Sequence, residues 1–303
     1  MVDVHPNWPN PRIPFQLASE RAMLPALDGK RLLVHVVMNV EWWPFELRMP
    51  RGLVTAPHGK PLDPPDLGNY SWVEYGLRCG MPRFLAAMRE RGIAGTCFLN
   101  ARVADVYPAL ADAIVAHDFE LVGHGEYQRS VKEIEDEEEM VRWCLERLEA
   151  LSGKRVRGWF GPGFAETLDS PDIFKRLGLD FTHDWLVDDL PVWIKTSGGP
   201  LLGLPYTLEL NDVPIWAIHG LSSDELLKRV EATLAVFDKE MAHQVRIMTF
   251  GLHPHLISVA HRHHHFERIL DLLLARPDTT FVTSSVMADW FTAAEPAPAA
   301  FPA

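Results

Sequence analysis

Short apolar runs recur along this chain, and most of them stop on a polar or ionisable residue. Leu32-Leu33-Val34-His35-Val36-Val37-Met38 runs into Asn39-Val40-Glu41, and Phe119-Glu120-Leu121-Val122 runs into Gly123-His124-Gly125-Glu126. Leu179-Asp180-Phe181 leads to Thr182-His183-Asp184, with Asp188-Asp189 close behind, and Arg246-Ile247-Met248-Thr249-Phe250 leads to Gly251-Leu252-His253-Pro254-His255. A buried strand followed by acid–base chemistry, repeated around a sheet, is how an α/β barrel builds a site at its strand carboxyl ends. The pattern predicts an enzyme.

Strands are predicted at 32–39, 95–99, 119–123, 156–160, 179–182, 201–204, 246–252 and 279–283. Helices are predicted around 82–91, 108–117, 131–151, 171–177, 223–242 and 262–275. Ser130-x-x-Glu133 and Ser222-x-x-Glu225 fit the capping box, in which a hydroxyl and a carboxylate satisfy free amides at a helix start. Ser170-Pro171 fits a cap followed by proline at the first helical position, and Gly92 fits a helix stop. Alternating strands and helices predict a parallel sheet with helices outside, and seven or eight strands would close it into a barrel. Residues 1–30 read as an extended arm, 31–291 as one barrel domain, and 292–303 as a disordered tail. Segment 42–76 breaks the alternation with Trp42, Trp43, Tyr70, Trp72, Tyr75 and several prolines, Pro57 and Pro61 among them. It reads as a wall over the barrel mouth or as an oligomer contact.

Composition narrows the partners. The 303 residues carry a formal net charge of -12 and show no basic stripe. This argues against nucleic acid and anionic membrane as partners. The three cysteines show no CxxC and no framework spacing, against a disulfide fold or a cysteine zinc site. The N-terminus lacks the basic and apolar regions of a signal peptide, so a cytoplasmic location is expected. The arm and the insert suggest a homo-oligomer.

Glu41 follows the strongest apolar run and could serve as a base or a metal ligand. His124 lies between glycines that admit a ligand closely. His253-Pro254-His255 places two imidazoles on a stiffened backbone, and an imidazole suits proton transfer to a leaving nitrogen. Asp184, Asp188 and Asp189 cluster with His183 and could orient a histidine, although capping or salt bridging would also account for them. His261-Arg262-His263-His264-His265 opens a helix, where the imidazoles fan outward and do not converge. No phosphate-binding or nucleophile-elbow motif is present.

Asn39-Val40-Glu41, Gly123-His124-Gly125, Gly158-Trp159-Phe160, Asp188-Asp189-Leu190-Pro191-x-Trp193, Pro205-Tyr206-Thr207 with Asn211-Asp212, and Leu252-His253-Pro254 follow one another in a familiar order. From about Leu32 to Trp290 the chain resembles the polysaccharide deacetylase (NodB-homology) superfamily. The closer likeness is to its peptidoglycan-deacetylase-like and cofactor-independent allantoinase branch. The resemblance implies a distorted (β/α)7 TIM-like barrel and hydrolysis of a non-peptide carbon–nitrogen bond. It makes Glu41, His253, Asp188 and Asp189 the catalytic candidates, with His253 as general acid. Asn39, Trp159, Tyr206 and Asn211 are the substrate-binding candidates, and Glu41 and His124 would be a partial metal site. Asn39 replaces an aspartate of the superfamily and Gln128 replaces its second histidine. The expected cofactor is therefore none, or one divalent metal such as zinc.

The expected activity is opening of a small cyclic amide, imide or ureide. A metal-dependent N-deacetylase and a retired, ligand-binding barrel are the alternatives.

Overall fold

The computed structural model describes residues 8–53, 55 and 63–301; Pro57, Pro61 and the first seven residues lie outside them. Strand β1 (Leu32–Val40) is buried along its whole length. Side chains alternate across a strand. Leu33 and Val37 accordingly pack in the barrel interior, while Leu32, Val34, Val36, Met38 and Val40 pack under the helices. This two-sided burial makes β1 read as one continuous apolar run, as strands of covered parallel sheets do.

After β1 come α1 (Leu67–Tyr75), a π-helical turn (Gly76–Gly80) and α2 (Met81–Glu90), then β2 (Thr96–Leu99), α3 (Val103–Val106), α4 (Pro108–Ala116) and β3 (Glu120–Gly123). They are followed by α5 (Glu137–Ser152), β4 (Gly158–Trp159), α6 (Ser170–Arg176), β5 (Phe181–Thr182), β6 (Val192–Ile194) and β7 (Leu201–Gly203). A second π-helical turn (Val213–Ile218), α7 (Glu225–Glu240), β8 (Arg246–Leu252), α8 (Ala260–Leu274), β9 (Thr279–Val282) and α9 (Ser284–Ala294) complete the described order.

The sheet runs β6-β7-β5-β4-β3-β2-β1-β8, with β9 paired to the first half of β1. All pairings are parallel except β6 with β7. A parallel bridge between Asn211 and Gly251 joins the segment after β7 to β8. That bridge curls the open edges together and gives the distorted (β/α) barrel that the resemblance implies.

Each predicted strand is found, several of them shorter than expected. The antiparallel strand β6 was not foreseen, and neither were α1 and α9. Three helix starts need correction. Asp136, not Ser130, caps α5 by accepting from the Glu139 amide, while Ser130 caps a separate 3-10 turn at Val131–Glu133. Asp224, not Ser222, precedes α7 and makes no side-chain cap. Ser170 is the first residue of α6 and not its cap, with Pro171 behind it. In the first two cases an aspartate stands nearer the helix than the serine does, and Asp136 satisfies a free amide there.

The arm lies along the barrel. The Arg12 guanidinium pairs with Asp172 at 2.6 Å, and the Leu24 amide donates to Gln244 at 2.8 Å. The tail expectation also needs correction. Residues 292–294 belong to α9, the Trp193 indole donates to the Glu295 carbonyl, and Phe301 packs on Trp8. Apolar contact with the arm orders what composition alone reads as unstructured.

Candidate active site

The site lies where strands end. Glu41 follows β1, His124 follows β3, and His253 follows β8. In a parallel barrel all three carboxyl ends open on the same face. Glu41 Oε1 stands 3.6 Å from His124 Nε2 and 3.4 Å from His253 Nε2. Its other oxygen accepts the Trp43 indole N–H at 2.7 Å. Three residues far apart in sequence thus meet on a single carboxylate oxygen.

Each histidine is held from behind. His124 Nδ1 donates to the Phe160 carbonyl at 2.7 Å, and the Phe160 ring stacks on the imidazole at 5.1 Å. Gly123 makes room for this, because a Cβ there would lie 2.5 Å from the Trp159 ring. With Nδ1 turned to the Phe160 carbonyl, Nε2 is the nitrogen that faces Glu41. That nitrogen is buried and makes no hydrogen bond among the described residues. His253 Nδ1 lies 2.7 Å from Asp212 Oδ1. Asp212 Oδ2 accepts the backbone amides of His253 and Ile257, at 2.7 and 3.2 Å.

Charge follows from this packing. Burial alone would lower the His253 pKa, but the Asp212 carboxylate, then Glu41, raise it to about 9. His253 is therefore an imidazolium near neutrality. Burial alone would raise Glu41, but the facing His124 and His253 imidazoles outweigh it and hold the carboxyl well below its ordinary range.

The acid that orients His253 is thus Asp212, which corrects the expectation that it would come from the Asp184–Asp189 group. Asp188 pairs with Arg21 of the arm at 3.1 Å and accepts the Leu190 amide. Asp189 is exposed in the same turn. Asp184 accepts from the Gly161 amide at 2.8 Å and from Thr182 Oγ1 at 2.8 Å. Burial raises it to about 6 and, together with the Asp184 charge, raises the neighbouring Glu166 to about 9. Among the described residues neither carboxyl is hydrogen-bonded to His253.

The substrate-binding candidates divide. Asn39 shares the inner face of β1 with Glu41, and its Nδ2 donates to Tyr206 Oη at 2.9 Å and to the Leu252 carbonyl at 3.0 Å. A carbonyl can only accept, so the amide orientation is fixed and Asn39 Oδ1 faces away. That oxygen is buried and has no hydrogen-bond partner among the described residues. Tyr206 closes the inner wall with Phe160 and Phe164. Trp159 points to the helices and packs on Phe174, which removes it from the site. Its neighbour Phe160 lines the site instead, since adjacent strand residues face opposite sides. Asn211 supports Tyr206 and accepts the Val213 amide at 2.9 Å. It shapes the wall without facing the centre.

Sequence reasoning missed Asp212, Phe160, Trp43 and Asn100 as site residues. Asn100 follows β2, accepts the Trp42 amide at 2.9 Å and donates to the His124 carbonyl. For Asp212 a signal existed, namely an acid followed at once by the apolar Val213-Pro214-Ile215-Trp216.

The superfamily's metal needs donors. Asn39 is committed to Tyr206 and Leu252, and His253, as an imidazolium, carries a proton on Nε2 as well as on the Nδ1 that meets Asp212. That leaves Glu41 and His124. Among the described residues no group of three or more His, Cys, Asp or Glu could hold a metal ion. The donor set does not fit the three-ligand site of a catalytic zinc.

Comparison with known proteins agrees with the fold and the motifs. The polysaccharide deacetylase family model matches residues 70–182, a span that holds His124 but neither Glu41 nor His253. Over that span the chain is similar to the polysaccharide deacetylase family. More particularly, it is 25% identical over 145 residues to a peptidoglycan deacetylase-like protein of Gibberella zeae, covering 46% of this chain and 43% of that one. Among solved structures, PuuE allantoinase is 23% identical with a TM-score of 0.81, over 92% of this chain and 96% of that one. A probable polysaccharide deacetylase of Pseudomonas aeruginosa PAO1 is 22% identical with a TM-score of 0.79, over 89% of this chain and 94% of that one. At these identities the two solved structures establish the fold.

Proposed function

We propose that the protein opens a small cyclic amide, imide or ureide by hydrolysis, using side chains alone. The observation that carries this reading is the convergence of His124 and His253 on one oxygen of Glu41, with Asp212 behind His253. A water donating one hydrogen to Glu41 Oε1 and the other to His124 Nε2 has its free lone pair toward the substrate carbonyl. Glu41 takes the proton as the water attacks, and His253 Nε2–H protonates the departing nitrogen. A carboxylate held so low is a weak base at rest. It strengthens as His253 gives up its charge, so the two transfers assist each other.

Asn39 Oδ1 supports the substrate class. A buried acceptor without a partner costs stability, and a substrate N–H beside the scissile carbonyl would satisfy it. Cyclic imides and ureides carry such a group. The PuuE allantoinase fold likeness points the same way. A panel of hydantoins, cyclic imides and allantoin, set beside acetylated oligosaccharides, tests the reading. Turnover confined to the acetylated sugars would overturn it.

The second reading, a metal-dependent N-deacetylase, draws on the unpartnered His124 Nε2 facing Glu41 and on the name of the Gibberella zeae relative. Zinc in stoichiometric amount, lost together with activity, would favour it. We further propose a homo-oligomer, since Phe15, Leu17 and Met23 of the arm are exposed at 74%, 51% and 58%. Light scattering tests this. No helix among the described residues is long and apolar enough to cross a membrane. A cytoplasmic location remains a proposal for cell fractionation.

A further inference from the structure

Glu41 has two oxygens, and the structure treats them differently. Oε1 faces both histidines, while Oε2 is claimed by the Trp43 indole at 2.7 Å. Trp43 is 3% exposed and packs with Met49 and Val73 of the aromatic insert. On its other side stands His255, the second histidine of the His-Pro-His motif, with the rings edge-to-face at 5.8 Å. Trp72 closes on His255 in the same manner at 4.5 Å, and His255 also meets the His253 ring at 5.8 Å. Gly76 of the π-helical turn abuts this loop so tightly that a Cβ there would lie 2.3 Å from the His255 backbone nitrogen.

We infer that Trp43 is a positioning residue for Glu41, and that His255 acts through it. The indole N–H fixes the carboxylate rotation and reserves one oxygen for the reaction. His255 wedges Trp43 between the insert and the histidine loop. The motif then serves one carboxylate twice, with His253 contacting it directly and His255 acting through the indole. Burial pushes His255 down to about 3, so it stays neutral and brings no competing charge near Glu41. Among the described residues its Nε2 has no hydrogen-bond partner, in keeping with a ring held by aromatic faces. A carboxylate with both oxygens free could turn away from His124 and His253. A hydrogen bond to a charged group is strong enough to prevent that.

This inference rests on the role proposed for Glu41, and its test separates the two. In 15N-indole NMR spectra, the Trp43 Nε1–H resonance should lie downfield and shift strongly upfield in Glu41→Ala. An unmoved resonance would overturn the contact without any substrate being needed. In kinetics, Trp43→Phe keeps the ring and loses the N–H, and should lower kcat by about 10- to 100-fold with little change in KM. The acid limb of its pH profile should move upward, because Glu41 loses a bond to its charged form. His255→Phe should retain more turnover than His255→Ala, since packing is its part. Full turnover in Trp43→Phe with an unchanged acid limb refutes the inference. Full turnover in Glu41→Ala refutes the proposed reaction and leaves the NMR result standing.

Discussion

Asp212 grips His253 twice, its Oδ1 at 2.7 Å from the ring Nδ1 and its Oδ2 accepting the same residue's backbone N–H at 2.7 Å. A carboxylate bound both to a side chain and to the backbone of one residue fixes ring position and tautomer together. It also supplies the charge that keeps the imidazole protonated, which is the state a proton donor requires.

Asp212→Asn should therefore lower kcat by roughly 100-fold or more, within the range that general acids contribute. His253 is held at about 9 in the native protein. Activity that needs its proton is present below that pH and lost above it. In the variant the basic limb should move down toward an ordinary histidine value of about 6.5. A pH–rate profile of kcat/KM reads both changes.

Glu41→Gln should remove the base and abolish turnover to within roughly 100-fold of background or less. Because the native carboxyl titrates well below its ordinary value, the wild-type profile should show no Glu41 limb between about pH 5 and 8. The same variant takes a negative charge from beside His253, so the His253 resonance in NMR should titrate at lower pH than in the wild type.

Chelation should leave turnover unchanged, since Glu41 and His124 are one protein donor short of a catalytic zinc site. Dialysis against a strong chelator, with metal content measured on the same sample, checks this. Joint loss of zinc and activity would favour the deacetylase reading.

Beneath the site, His35 and His183 stack at 5.4 Å inside the barrel. Both Nε2 atoms bond to Ser284 Oγ, at 3.1 and 2.9 Å. Burial lowers His35 to about 3 and holds His183 well below its ordinary value. The unfolded chain binds a proton at each near pH 6.5 and the folded chain does not. Stability from this source is complete above about pH 6.5 and falls as the pH drops, by about 1.4 kcal/mol per unit for each histidine. Urea unfolding at pH 7 and pH 5 should show a smaller pH loss in His35→Phe than in the wild type. An equal loss in both would contradict it.

Much of the barrel could be read from the chain. Runs such as 32–40 and 246–252 are apolar because both faces are covered, and periodicity reports that locally. Glu41, His124 and His253 were legible because each follows such a run. β6 was not legible, since three residues of an antiparallel hairpin carry no distinctive period. Trp159 was placed on the wrong face because a two-residue strand gives no alternation by which to tell inward from outward, and its neighbour Phe160 took the inner position.

What the sequence by itself determined was an alternating barrel with chemistry at its strand ends, because burial and turn formation act over a few residues. Which acid serves which base was decided only by tertiary structure. Asp188 lies near His183 in sequence, yet its ion pair is with Arg21 of the arm. Asp212 reaches His253 because the Asn211–Gly251 bridge brings the chain after β7 against β8. Contact between residues 41 positions apart depends on how the sheet closes, and no local pattern encodes that closure.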